Sequence, residues 1–177
     1  DVFIVSPYFV PSKWGMAALR DLTANNVKVT VLTNSLRATD VAAVHSGYAR
    51  YRKDLLNAGV ELYEVKPDFA PPKIRDKGLT GSSATSLHAK TFVVDGKRVF
   101  IGSLNFDPRS ARLNTEMGMV IDHAEIAGDM RQELEKITPQ YAYKVVMDKQ
   151  RKRLRWQDPD RPDVLLKNEP DAGIWER

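Results

Sequence analysis

Residues 88–105 leave room for little besides a β-hairpin. Thr91, Phe92, Val93 and Val94 stand on one side of Asp95-Gly96-Lys97, and Val99, Phe100 and Ile101 on the other. β-branched and aromatic residues around a Gly-containing turn carry that signal. Side chains alternate along a strand, so His88 and Lys90 share a face. A two-residue turn then sets the pairing. With Asp95-Gly96 as the turn, His88 lies opposite Ser103; with Gly96-Lys97, His88 lies opposite Asn105 and Lys90 opposite Ser103. Both registers predict His88, Lys90, Ser103 and Asn105 on one face. An imidazole, a cation, a hydroxyl and an amide together suit a phosphate ester. The lysine neutralises non-bridging oxygens, the small polar groups donate to them, and the imidazole attacks phosphorus or moves a proton.

The rest of the chain predicts an α/β fold, a mixed central β-sheet flanked by helices. A buried strand at 2–5 leads through Ser6-Pro7-Tyr8-Phe9-Val10-Pro11 to a helix over about 12–25, with Ser12 as N-cap. A strand follows at 27–32, then a helix capped by Thr39 or Asp40 and running to Asn57, then a strand at 60–65. Two successive strand–helix–strand units imply a parallel core. Residues 66–86 are rich in Pro, Gly, Ser and charge, and their position before His88 predicts a loop rimming the site. After the hairpin come a strand over 115–121 and a helix from about 124 to 137 with Asp122 as cap and Pro139 as breaker. Strands at 141–147 and 153–157 form a second hairpin. The division is a catalytic half-domain over 1–157 and a loosely ordered tail over 158–177.

The spacing H-x-K-x4-D-x6-G-S-x-N, met at His88, Lys90, Asp95, Gly102, Ser103 and Asn105, resembles the signature of the phospholipase D superfamily. A chance match of six fixed positions is on the order of a few in a million. Ser6-Pro7-Tyr8-Phe9-Val10-Pro11, Leu32-Thr33-Asn34-Ser35-Leu36 and His45-Ser46-Gly47-Tyr48 are similar to the C-terminal half of bacterial phospholipase D-type cardiolipin synthases. The resemblance implies metal-independent phosphodiester exchange through a phosphohistidine, without a cofactor. Its substrate would be a glycerophospholipid such as phosphatidylglycerol, and its acceptor a lipid glycerol hydroxyl. It implies catalytic His88, Lys90, Asp95 and Glu116, with Lys90, Gly102, Ser103 and Asn105 at the phosphate. His88 is either the nucleophile or the acid that protonates the leaving alkoxide. Glu116, in a strand that Met117 and Val120 predict to be buried, would hydrogen-bond the histidine. Members of this type carry two such signatures and this chain carries one. The second comes from the same full-length chain or from a homodimer, and without it the chain would not turn over lipid. The alternatives are a homodimeric endonuclease of the superfamily, which would bind nucleic acid, and a non-catalytic anion-binding half-domain.

Two further readings concern partners. His45, Tyr48 and Arg52 share one side of a helix and are candidate contacts for a headgroup or acceptor. Lys144, Lys149, Arg151, Lys152, Arg153 and Arg155 stand against the single acid Asp148, with Tyr141, Tyr143 and Trp156 at the flanks. That cluster predicts an anionic membrane surface as partner, and the resemblance implies a peripheral place at the cytoplasmic face of a bacterial inner membrane. The net charge of +4 agrees with an anionic partner. Cysteine is absent, which excludes thiolate and disulfide chemistry. No dinucleotide or P-loop fingerprint occurs. The apolar run straight after Asp1 reads as the start of an excised fragment.

Overall fold

The computed structural model describes residues 1–67, 87–148 and 150–170. Its centre is the parallel trio β1 (Val2–Val5), β2 (Val29–Asn34) and β3 (Glu61–Val65), joined through helices α1 (Ser12–Ala24), α2 (Ala42–Ala49) and α3 (Arg52–Asn57). Antiparallel wings extend both sides. The hairpin β4 (Thr91–Val94) and β5 (Arg98–Gly102) joins β1, and β6 (Gly118–Asp122) closes that edge. On the other side β7 (Ala142–Asp148), β8 (Arg153–Gln157) and β9 (Leu165–Leu166) follow β3. Among the described residues the sheet order is β6-β5-β4-β1-β2-β3-β7-β8-β9. The expected α/β sheet flanked by helices is present.

Strand periodicity divides the core into two layers. Ile4, Val29, Val31 and Leu62 face α1–α3, where they meet Met16, Leu19, Tyr48 and Leu55. Phe3, Val5, Leu32, Val93 and Val99 face α5 (Ala124–Tyr141) and pack with Ala127, Met130 and Leu134. Every residue of β2 is buried, as a central strand covered on both faces requires.

Several expectations need correction. The 88–105 hairpin turns through three residues, not two: Val94 pairs with Arg98, and Asp95 (φ 54°) and Gly96 (φ 58°) are both left-handed. An aspartate tolerates that conformation, so the longer loop costs little. Lys90 therefore lies across from Gly102, whose N–H donates to its carbonyl (3.1 Å), and neither expected register holds. Ser12 has φ 58° and makes no capping bond; Pro11 holds the cap position. The second helix is two helices, broken where Tyr51 N–H reaches back three residues to Tyr48 C=O. Pro139 sits inside the last turns of α5 and does not end it, because its fixed φ is already helical. His123, not Asp122, caps that helix through Nδ1.

The C-terminal segment is not a loose tail as far as Pro170. It carries β9, Lys66 bonds Asp158, and Glu169 pairs with Arg52. Trp156 and Tyr143 are core residues, and Arg155 is buried beside Asp148 (3.4 Å). They therefore cannot serve the aromatic membrane belt predicted for this hairpin. Arg151, Lys152 and Arg153 are exposed, and Lys149 lies outside the described residues. So does most of the expected site-rimming loop, from 68 onward.

Candidate active site

Four of the signature residues flank the hairpin instead of standing within its strands. His88 and Lys90 precede β4, and Ser103 and Asn105 follow β5. Both segments emerge beside the carboxyl ends of β1 and β2, the usual place for a ligand in an open α/β sheet. The ends of the two central strands hold them there. Asn34, closing β2, clamps Leu87 both ways: it accepts from Leu87 N–H (3.0 Å) and donates Nδ2–H to Leu87 C=O (3.2 Å). Ser6, just past β1, accepts from Phe106 N–H (3.0 Å) and donates to Tyr8 C=O (2.9 Å). Both polar residues are buried. The sequence reading assigned neither a role, although an amide closing a buried apolar run was a usable signal.

His88 is exposed, and its imidazole makes no hydrogen bond among the described residues. Lys90 donates to the His88 carbonyl (2.8 Å). Desolvation holds its ammonium below the usual lysine range, against the opposing pull of Glu116 and Asp40. Asp40 in turn accepts from Tyr8 Oη (2.7 Å), whose phenol burial and that hydrogen bond push up to about 12. Tyr8 and Asp40 thus bound the lysine's surroundings, a pairing that the sequence reading did not find.

Glu116 precedes β6 and is not part of a buried strand: Met117 is 82% exposed and Val120 62%. The reason lies in the topology, because among the described residues β6 is an edge strand, paired on one side only. Its carboxylate accepts from Ser103 Oγ–H and from Asn114 Nδ2–H (3.1 Å), and these bonds lower its pKa. Glu116 therefore holds Ser103 and faces Lys90 electrostatically; the described hydrogen bonds do not join it to His88. Ser103 Oγ also accepts from Met117 N–H (3.0 Å). Asn105 Oδ1 is buried without a partner among the described residues.

The other named residues lie elsewhere. Asp95 is exposed at the far end of β4, on the order of 20 Å of strand from His88. Gly102 serves the β5–β6 contact: a Cβ there would lie 2.5 Å from Met117 C=O and 2.8 Å from the Gly118 Cα. His45, Tyr48 and Arg52 do share a side, but it faces the core. Fully buried Glu64 accepts from Tyr48 Oη (2.9 Å), Arg52 Nε (2.8 Å) and Trp156 Nε1 (2.9 Å). Arg52 also reaches Glu169, which lies 2.5 Å from His45 Nε2. These three residues are structural, not headgroup contacts. Helical spacing identified their common face, but not which way it points.

The sequence model for the family described as "Cardiolipin synthase, PLD-like domain" matches residues 1–138. Cardiolipin synthase C of Escherichia coli is 49% identical over 98% of this chain, and the chain spans 37% of that relative's length. Cardiolipin synthase A of Pseudomonas aeruginosa is 34% identical over 76% of the chain, which covers 24% of it. Among solved structures, phosphatidylserine synthase of Haemophilus influenzae aligns with a TM-score of 0.61 at 17% identity, over 81% of this chain and 33% of that one. Nuc of Salmonella typhimurium, a phospholipase D family member, aligns with a TM-score of 0.57 at 17% identity, over 81% and 80%. These two likenesses concern the fold.

Proposed function

We propose a function from the premise that this chain belongs to the cardiolipin synthase, PLD-like domain family. Residues 1–157 supply one of two half-sites for phosphatidyl transfer between glycerophospholipids, through a phosphohistidine. The observation that carries this reading is an exposed imidazole at His88, without a hydrogen bond among the described residues and two residues from the partly desolvated ammonium of Lys90.

In the first half-reaction one histidine attacks phosphorus and the P–O bond to the leaving glycerol breaks. The other histidine gives its proton to the departing alkoxide. In the second, an acceptor hydroxyl of another phosphatidylglycerol attacks phosphorus, the P–N bond to the first histidine breaks, and the hydroxyl proton passes to the second histidine. His88 takes one of these two roles and the paired half takes the other. Lys90 neutralises the non-bridging oxygens, where charge develops. The Ser103 proton is engaged by Glu116. Hydrogen-bond donation to the phosphoryl oxygens therefore falls to Lys90 and the Asn105 amide N–H, with Ser103 ordering the carboxylate beside them.

The edge at β6 supports a second signature-bearing half as partner. Leu113 is 80% exposed, and Met117, Met119 and Val120 extend the apolar surface next to Glu116. Exposed apolar edges of this kind are partner surfaces. The other half, from the same full-length chain or a second copy, would cover this edge and bring its histidine to the phosphorus. With such a substrate the protein would work peripherally at a bacterial membrane, and we place it at the cytoplasmic face.

The test is transfer of labelled phosphatidyl groups from phosphatidylglycerol to a second phosphatidylglycerol by the intact protein. Wild type is expected to yield the doubly phosphatidylated glycerol. His88→Ala is expected to lose at least ~10² in rate, the usual loss on removing a nucleophile or general acid. A rate within about tenfold of wild type would refute the mechanism. Cleavage of DNA in preference to lipid would replace the reading with the nuclease.

A further inference from the structure

A groove of about 590 Å³ begins at Asn105 and Leu104 and runs away from the phosphoryl site between α1, the loop after β5 and α4 (Pro108–Arg112). Its walls are Val10, Trp14, Phe92, Leu104, Phe106 and Ala111. The volume lies within the range of small-molecule sites. The floor is rigid. Phe92 stacks on Phe100 (5.2 Å between centroids) and meets Phe106 edge-on (6.3 Å), and Phe106 stacks on Phe9 (4.9 Å). Gly15 permits this arrangement, since a Cβ there would come within 3.1 Å of the Phe106 ring. Trp14 is 76% exposed, a large apolar side chain left in water.

The charge around the groove identifies its occupant. Lys13 and Arg112 line it, and neither forms an ion pair among the described residues. The one carboxylate in the lining, Asp107, is engaged as the N-cap of α4, accepting from Arg109 N–H (2.8 Å) and Ser110 N–H (3.1 Å). An apolar trough with unpaired cations fits an anionic amphiphile. Through Asn105 the trough is continuous with the proposed phosphoryl site.

We infer that this groove is an acyl slot: it seats a fatty-acyl chain of the anionic phospholipid whose phosphate lies at Lys90. The inference deepens the phosphatidyl-transfer reading and rests on it. The slot aligns the scissile phosphodiester by gripping the tail, so lipid affinity depends on chain length. Each buried methylene strengthens binding about fourfold, the ~0.8 kcal/mol of a buried CH₂ converted at ~1.4 kcal/mol per decade.

The experiment titrates the intact protein with monomeric phosphatidylglycerols of increasing chain length, below micellar concentration and brominated at the acyl end. Glycerophosphoglycerol is the acyl-free control. The Trp14 contribution is isolated by difference against Trp14→Phe protein. The expected result is bromine quenching of Trp14, with affinity rising about fourfold per methylene until the slot is full. Ala111→Phe, a change at an exposed helix position that fills the trough, is expected to reduce that rise to under twofold. Absent quenching, as when a protein segment occupies the groove, overturns the slot. So does an unaltered chain-length dependence in Ala111→Phe. Phosphatidyl transfer without Trp14 quenching leaves the function standing and removes the slot. Quenching without transfer keeps the slot and removes the function.

Discussion

Around Glu64 a carboxylate, a guanidinium, a phenol and an indole N–H are packed between the sheet and α2–α3. Around Glu116 a carboxylate, an ammonium and a hydroxyl gather at the rim of the same sheet, the ammonium two residues along the chain from the exposed His88 imidazole. The residue types are nearly the same, but their hydrogen bonding differs. In the buried cluster both Glu64 oxygens accept, and Arg52 is shared between Glu64 and Glu169 while lying over the Tyr48 and Trp156 rings (4.9 and 5.4 Å). Nothing there has capacity left for a substrate. At the rim, His88 and Asn105 Oδ1 have no partner among the described residues, and Lys90 is incompletely compensated. Satisfied polar clusters specify architecture, whereas unsatisfied ones at a strand terminus retain the means to bind.

The largest expected effect breaks the buried cluster. Glu64→Ala removes the fully buried partner of Arg52 and leaves only the partly exposed Glu169 to compensate it; breaking a buried pair this way typically costs ~3–5 kcal/mol. Urea unfolding measures it, and a loss under ~1 kcal/mol would show that the cluster is not structural. His88→Ala is the converse. Its rate falls by at least ~10², while stability stays within ~0.5 kcal/mol of wild type, as for an exposed residue outside any network. A large stability loss there would erase the contrast.

Glu169 sharpens it at intermediate size. Burial would raise this carboxyl, but hydrogen bonds from His45 and Arg52 outweigh that and hold it at about 2. A depressed carboxyl contributes its stability fully above its ordinary value of 4.5 and loses it as pH falls toward about 2. Glu169→Gln is therefore expected to cost ~2 kcal/mol at neutral pH, within the range of hydrogen bonds to charged groups. The difference from wild type should shrink between pH 4.5 and about 2. Parallel stability curves across that window would exclude the pairing.

The smallest effect belongs to the β7–β8 turn. With Arg155 and Trp156 buried, the exposed charges described there are Arg151, Lys152 and Arg153. At ~1 kcal/mol per basic residue near anionic lipid, half engaged, changing all three to Gln should weaken phosphatidylglycerol-vesicle binding about tenfold. Co-sedimentation with vesicles reads this. Unchanged binding removes the turn from the membrane surface.

The sequence by itself determined the α/β class, the parallel trio, both hairpins and the identity of the signature residues. These rest on local periodicity, turn chemistry and spacing, which act over a few residues and survive without knowledge of neighbours. Only the tertiary structure decided which polar face is buried. His45, Tyr48 and Arg52 read the same from sequence whether they meet water or Glu64, because Glu64 and Trp156 arrive from distant strands. The same holds for Glu116. Its neighbours Met117 and Val120 look like core until the sheet order leaves β6 at an edge. Burial is a property of the assembled sheet, and the sign of a polar residue's contribution follows from burial and partners together.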